Sequence, residues 1–174
     1  MISLNIFIGF ISGLAVYFIS LLIGIEVSGG VPELINLYHN NMRGYFFSAF
    51  LGISSFLLSL LTFVVINLKE KMFDSEDYKN MYVICNGLSG ENDIVKKNLY
   101  KPLVIISTLL VISILCSIIT AILQFTLGIS NNKLVLIAPT IFPFLSISFM
   151  TLSLFQMAQL IYQWLNSEGV ISKK

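Results

Sequence analysis

The chain has little charge, and none of it lies where the chain is most apolar. It carries 10 basic and 9 acidic residues, and all of them avoid four stretches: Leu4 to Ile25, Tyr45 to Leu68, Leu103 to Gly128 and Leu134 to Leu165. Chemistry-bearing side chains are equally scarce. One histidine, His39, and two cysteines, Cys85 and Cys116, cannot supply the three or four ligands of a usual zinc site. The cysteines fall at different depths of the pattern, one in a polar loop and one in mid-stretch. They make a poor disulfide pair and read as free thiols. No GxxxxGK[ST] or GxGxxG phosphate-binding turn occurs,. Nucleophile, base and orienting acid cannot be assembled from what the stretches contain. The expectation is a protein that is not an enzyme and has no cofactor and no metal.

A net charge of +1 gives no clustered basic surface of the kind that nucleic acid requires, so no nucleic-acid partner is expected. Secondary transporters and proton pumps place an ionisable residue near mid-membrane. None is found there, which disfavours active transport, whereas a passive pore can work with hydroxyls, amides and a hydrophobic constriction.

What the chain does have is hydrophobicity. Its 56% hydrophobic and 11% charged residues lie on the membrane side of soluble averages near 45–50% and about 25%. Each stretch exceeds the roughly 20 apolar residues that cross about 30 Å of hydrocarbon. The sequence therefore predicts an all-α, polytopic membrane protein, a single four-helix transmembrane bundle over 1–174. Its spans fall at about 4–25, 45–68, 103–128 and 139–165, with membrane lipids as the surrounding partner. The first stretch has no Lys or Arg before it and is longer than a signal-peptide core, so it is expected to stay as an uncleaved helix.

Lysines set the expected orientation, because cytoplasmic flanks accumulate Lys and Arg. Lys69, Lys71, Lys79, Lys96, Lys97 and Lys101 fall in the loop between spans two and three, and Lys173 and Lys174 close the sequence. The other two loops hold only Arg43 and Lys133. Both termini and loop 69–102 are placed in the cytoplasm. Lysine in excess of arginine, with abundant Ile and Asn, suggests an AT-rich bacterial coding sequence and hence a bacterial inner membrane. Tyr45, Tyr100, Tyr162 and Trp164 mark span ends at headgroup level.

The loop itself reads as a cytoplasmic helical hairpin. Asp74 or Ser75 caps a helix whose first turn holds Glu76 and Asp77, Asn86-Gly87 breaks it, and a second helix covers roughly Glu91 to Tyr100. Its apolar residues, among them Tyr78, Met81, Tyr82 and Ile84, either pack on the bundle's inner mouth or form a docking face for a soluble cytoplasmic protein. On the other side Pro32 and Glu33 signal the start of a short helix lying on the membrane surface. Glu26, Glu33 and His39 read as loop polar residues, with a pH-sensing role as the alternative for His39. Pro139 and Pro143 suit a first turn, so the fourth helix is expected to begin at one of them.

Within a bilayer, helices associate through small residues and hydrogen bonds across the interface. Gly9 and Gly13 form a GxxxG in span one. Gly44, Ser48, Gly52, Ser55, Ser59 and Thr62 draw a small face down span two, so spans one and two are expected to pack together. Ser113, Ser117, Thr120 and Gln124 recur on span three, and Gln156, Gln159 and Gln163 on span four. These polar residues either bind helices to one another or line a water-filled path in a homo-oligomer. The leading expectation is a homo-oligomeric pore or membrane-perturbing component gated through its cytoplasmic loop. The second is a membrane anchor or sensor subunit that recruits a soluble partner, as in a phage-defence or toxin operon, giving an antiviral role.

Overall fold

The computed structural model describes residues 2–86, 99–130 and 132–171, and among these there is no strand. Four helices are long and apolar enough to cross a membrane. Helix α1 covers Ile2–Ser28, α2 Val31–Leu37, α3 Arg43–Phe63 and α4 Glu76–Asn86. Helix α5 covers Lys101–Phe125 and α6 Lys133–Ile171. At 1.5 Å per residue, α5 is about 37 Å long, more than the roughly 30 Å of a hydrocarbon core.

The helices form a row rather than a ring. Helix α5 is central, packed on α3 on one side and α6 on the other, and α6 in turn carries α1. One buried cluster joins Leu57 and Val64 of the second segment to Leu103, Ile106, Leu110 and Ile114 of α5. A second joins Ile105 and Leu109 of α5 to Leu145 and Phe149 of α6. Away from these seams the helices expose large apolar side chains, with Phe7 60%, Leu22 68% and Phe125 69% accessible.

The expected pairing of spans one and two is not what the structure has. A Cβ on Gly9 would lie 2.5 Å from the Phe149 ring, and one on Gly13 2.9 Å from Leu145 Cδ2. The GxxxG thus admits α6, not α3. Gly44 and Gly52 have nothing within 4 Å of a built Cβ. Packing of α3 is decided by its bulky face instead, where Phe50, Ser54 and Leu57 are buried.

Two breaks expected from the sequence are absent. Helix α2 runs without a loop into α3 through a π-helical turn, Tyr38–Met42, and α3 continues through Val64–Phe73, also π-helical. The short helix at Pro32 is therefore the first part of one continuous helix from Val31 to Phe73. No residue from Glu33 to Met42 is a glycine or proline able to stop it,. Likewise α6 begins at Lys133 and carries Pro139 and Pro143 inside, so residues 134–138 are helical rather than a linker. The genuine corner lies between α1 and α2, where Gly29 (φ 87°) and Gly30 (φ 146°) take conformations favouring glycine,. There the Gly30 amide bonds back to the Ile25 carbonyl at 3.0 Å.

Of the two residues expected to cap α4, Asp74 and Ser75, it is Ser75 that does so. Its hydroxyl oxygen accepts from the Tyr78 amide at 3.3 Å, which serves one of the orphan donors of the first turn. Helix α4, the first arm of the expected hairpin, covers Glu76–Asn86, and the expected second arm, Glu91 to Tyr100, lies outside the described residues except for Leu99 and Tyr100.

Candidate functional site

Three groups of polar or small residues on the long helices bear on function, each with a different environment. The first is a buried seam between α5 and α6. Ser113, Ser117, Thr120 and Gln124 are each 0% exposed. The Ser113 hydroxyl donates to the Ser146 carbonyl at 3.0 Å, and the Ser146 hydroxyl donates to the Ser113 carbonyl at 3.2 Å. Ser117 and Ser146 also share a hydroxyl–hydroxyl bond. A hydroxyl has one proton, and that of Ser146 is committed to Ser113, so Ser117 is the donor of this pair. Thr120 donates to the Cys116 carbonyl at 2.7 Å within its own helix.

Gln124 ends the seam. Its Nε2 donates to the Pro139 carbonyl at 2.7 Å, and its Oε1 accepts from the Tyr38 hydroxyl at 2.6 Å. In an uninterrupted helix the residue-143 amide would take that carbonyl, but proline has none. The glutamine repairs what Pro143 leaves open, which helps the helix run on through that proline. Ser113, Ser117, Thr120 and Gln124 were expected either to bind helices to one another or to line a water path. Here they are interhelical or intrahelical bonds sealed from any surface, and the sequence alone did not reveal Ser146 and Tyr38 as their partners. A serine on α6 at the right height was the only available signal.

The second group is the stripe Gly44, Ser48, Gly52, Ser55, Ser59 and Thr62, all of it exposed. The hydroxyls of Ser48, Ser55, Ser59 and Thr62 bond only to carbonyls one turn back in the same helix. At about 100° per residue this stripe lies roughly 145° round the helix from the face carrying Phe50, Ser54 and Leu57. It is the side of α3 that no other described helix covers.

The third group is a cleft of about 360 Å³ at the end of the bundle where α1 and α5 begin. Asn5, Lys101, Gln156, Gln159 and Gln163 line it, over a floor that includes Ile105 and Leu160. The glutamines, chosen from the sequence for their shared face, do meet here, joined by Asn5 and Lys101, which were not anticipated as their neighbours. That α1, α5 and the far half of α6 share this cleft puts residues 5, 101 and 163 at one end of the bundle. At the opposite end α1, α2 and α6 enclose a cavity of about 370 Å³. Its walls are nearly all apolar, with Lys133 at one edge.

His39 sits in the π-helical turn, edge-on to Tyr38 at 5.4 Å, with its Nε2 buried and unpartnered among the described residues. Among those residues no three His, Cys, Asp or Glu side chains come together as a metal site. The candidate docking residues of α4 separate. Tyr78 is 5% exposed and joins the core, 4.8 Å from the Phe73 ring, so it is spent on packing rather than free for a partner. Tyr82 packs against the same cluster, Ile84 is 75% exposed, and the Met81 side chain lies outside the described residues.

No protein-family model, curated protein or solved structure matches this chain.

Proposed function

We propose that this chain is a non-enzymatic, four-span protein of a bacterial inner membrane that assembles with copies of itself into a pore or membrane-perturbing component. The observation that carries this reading is the uncovered stripe of α3. Small residues permit close backbone approach between helices in lipid, and hydroxyls can line a water path without buried charge. The α3 stripe offers both on the side of the row that faces away from α5. Identical copies arranged about an axis, the usual symmetric solution, would turn Ser48, Ser55, Ser59 and Thr62 toward one another. Lysine placement supports cytoplasmic termini and a cytoplasmic loop 69–102. The exposed aliphatic and aromatic side chains of α1 and α5 support a lipid surround.

The test uses single cysteines at Ser48, Ser55 and Ser59 in a chain whose own Cys85 and Cys116 are serine. Oxidation should cross-link copies of the chain, and a water-soluble thiol reagent should modify these positions in membranes whose potential the protein dissipates. A monomer in mild detergent, with no cross-link at any of the three positions, rules the assembly out. The anchor reading keeps one specific support, the exposed Ile84 of α4. It predicts a co-purifying soluble protein lost on Ile84→Asp, and no conductance.

A further inference from the structure

The cleft between the starts of α1 and α5 and the far half of α6 has no assigned role, and its polar side chains have no hydrogen-bond partner among the described residues. Asn5, Gln156, Gln159, Gln163 and Lys101 make no hydrogen bond or ion pair among the described residues, whose single salt bridge is Lys69–Asp74. Polar groups that converge on a concave site without satisfying one another are arranged for something else. Among the described residues the charge is one-sided, with an ammonium and no carboxylate lining the cleft. Amides supply N–H donors around it, and α5 begins here with no side-chain cap hydrogen bond and with proline in its first turn, so the positive end of its helix dipole adds the same polarity. The floor is apolar.

We propose that this cleft holds the phosphodiester of an anionic phospholipid, with Lys101 and the glutamine amides on the phosphate oxygens and the glycerol end against Ile105 and Leu160. The inference rests only on the reading of these helices as membrane spans, not on the pore. Lys101 lies two residues before the third apolar stretch, which sets its ammonium at headgroup depth. A zwitterionic lipid would bring a second cation beside the lysine, whereas an anionic one brings none. The size suits a headgroup, because small-molecule sites start near 300 Å³.

The experiment titrates phosphatidylglycerol, phosphatidylcholine and inorganic phosphate separately into the full chain in neutral detergent and reads the thermal unfolding midpoint. Phosphatidylglycerol should raise the midpoint at a lower mole fraction than phosphatidylcholine. Lys101→Gln should weaken the response roughly fivefold, and Gln163→Leu, at an exposed position, should weaken it without altering the fold. Lys133→Gln, at the other end, should leave it unchanged. Equal responses to the two lipids, or a Lys101→Gln response like that of the parent, overturns the proposal. A full shift with inorganic phosphate alone overturns the lipid as the source. Were the helices not membrane spans, the chain would instead remain dispersed on detergent removal, a failure distinguishable from either.

Discussion

Gln124 donates to the Pro139 carbonyl at 2.7 Å, the one carbonyl in α6 that Pro143 deprives of its helical donor. A side chain from α5 thereby completes the backbone of α6, and Tyr38 from the preceding segment closes the other end of the amide at 2.6 Å. Three segments distant in sequence meet on one fully buried glutamine.

Gln124→Leu should therefore destabilise the bundle by about 1–3 kcal/mol, the usual cost of leaving a buried polar group unpaired, here both the Pro139 carbonyl and the Tyr38 hydroxyl. Pro143→Ala restores a backbone donor to Pro139. The pair forms a double-mutant cycle in which the second change should recover part of the first. Unfolding by a denaturing detergent measures it. Strict additivity of the two substitutions would mean that the glutamine does not serve that carbonyl.

The two glycine motifs should behave oppositely. Gly13→Leu drives a side chain into Leu145, whose backbone Cα lies 3.1 Å from a built Cβ, a contact too close to relax by rotamer change alone. It should detach α1 and lower stability of the single chain. Gly52→Leu meets open space and should leave single-chain stability within about 0.5 kcal/mol while abolishing cross-linking between copies. Thermal midpoints and cross-linked fractions of the two variants, taken together, separate the roles.

Ser146 is the hub of the α5–α6 seam, bonded to Ser113 twice over and to Ser117 once. Hydrogen bonds between membrane helices contribute about 0.6 kcal/mol on average and up to about 2. Ser146→Ala removes the hydroxyl that two partners use but keeps its carbonyl, so it should cost about 1–2 kcal/mol. Ser117→Ala removes one bond and should cost less. Equal losses would contradict a Ser146 hydroxyl that both donates to Ser113 and accepts from Ser117.

Helix number, the polar cap at Ser75 and the shared face of the glutamines were legible in the sequence because each is local, set by length, composition or spacing within one element. Which helix meets which was not. Gly9 and Gly13 announce a close contact but not its partner, and Phe149 and Leu145 carry no mark that distinguishes them from other apolar residues of α6. Pro139 and Pro143 read as a helix start because proline removes a helical hydrogen bond. The tertiary repair by Gln124, supplied from another helix, reverses that reading. The small face of α3 reads as an interface from its spacing, yet no other described helix covers it, and the bulky opposite face does the packing within the chain.

At the same end of the bundle as the cleft, the turn after Phe73 is held by an acid. The Tyr100 hydroxyl donates to the Asp74 carboxylate, and Lys69 Nζ lies 3.3 Å from the same group. The tyrosine hydrogen bond, followed by the lysine, holds the Asp74 carboxyl below its ordinary 3.8, and the same bond pushes Tyr100 above its ordinary 10.0. A depressed folded-state value stabilises the fold at pH above the unfolded value, and that contribution is lost as pH falls through the folded value. A raised tyrosine does the reverse, contributing below pH 10.0 and losing the contribution as pH rises through the higher folded value. Asp74→Asn should therefore lower the thermal midpoint by a constant amount between about pH 5 and 9. The gap from the parent should close in acid, where the aspartate is itself protonated, and narrow again in alkali as Tyr100 ionises. Midpoints of the two chains measured from pH 3 to 11 test this, and a gap that persists unchanged at the acid end would mean that the carboxylate's charge plays no part in holding the turn.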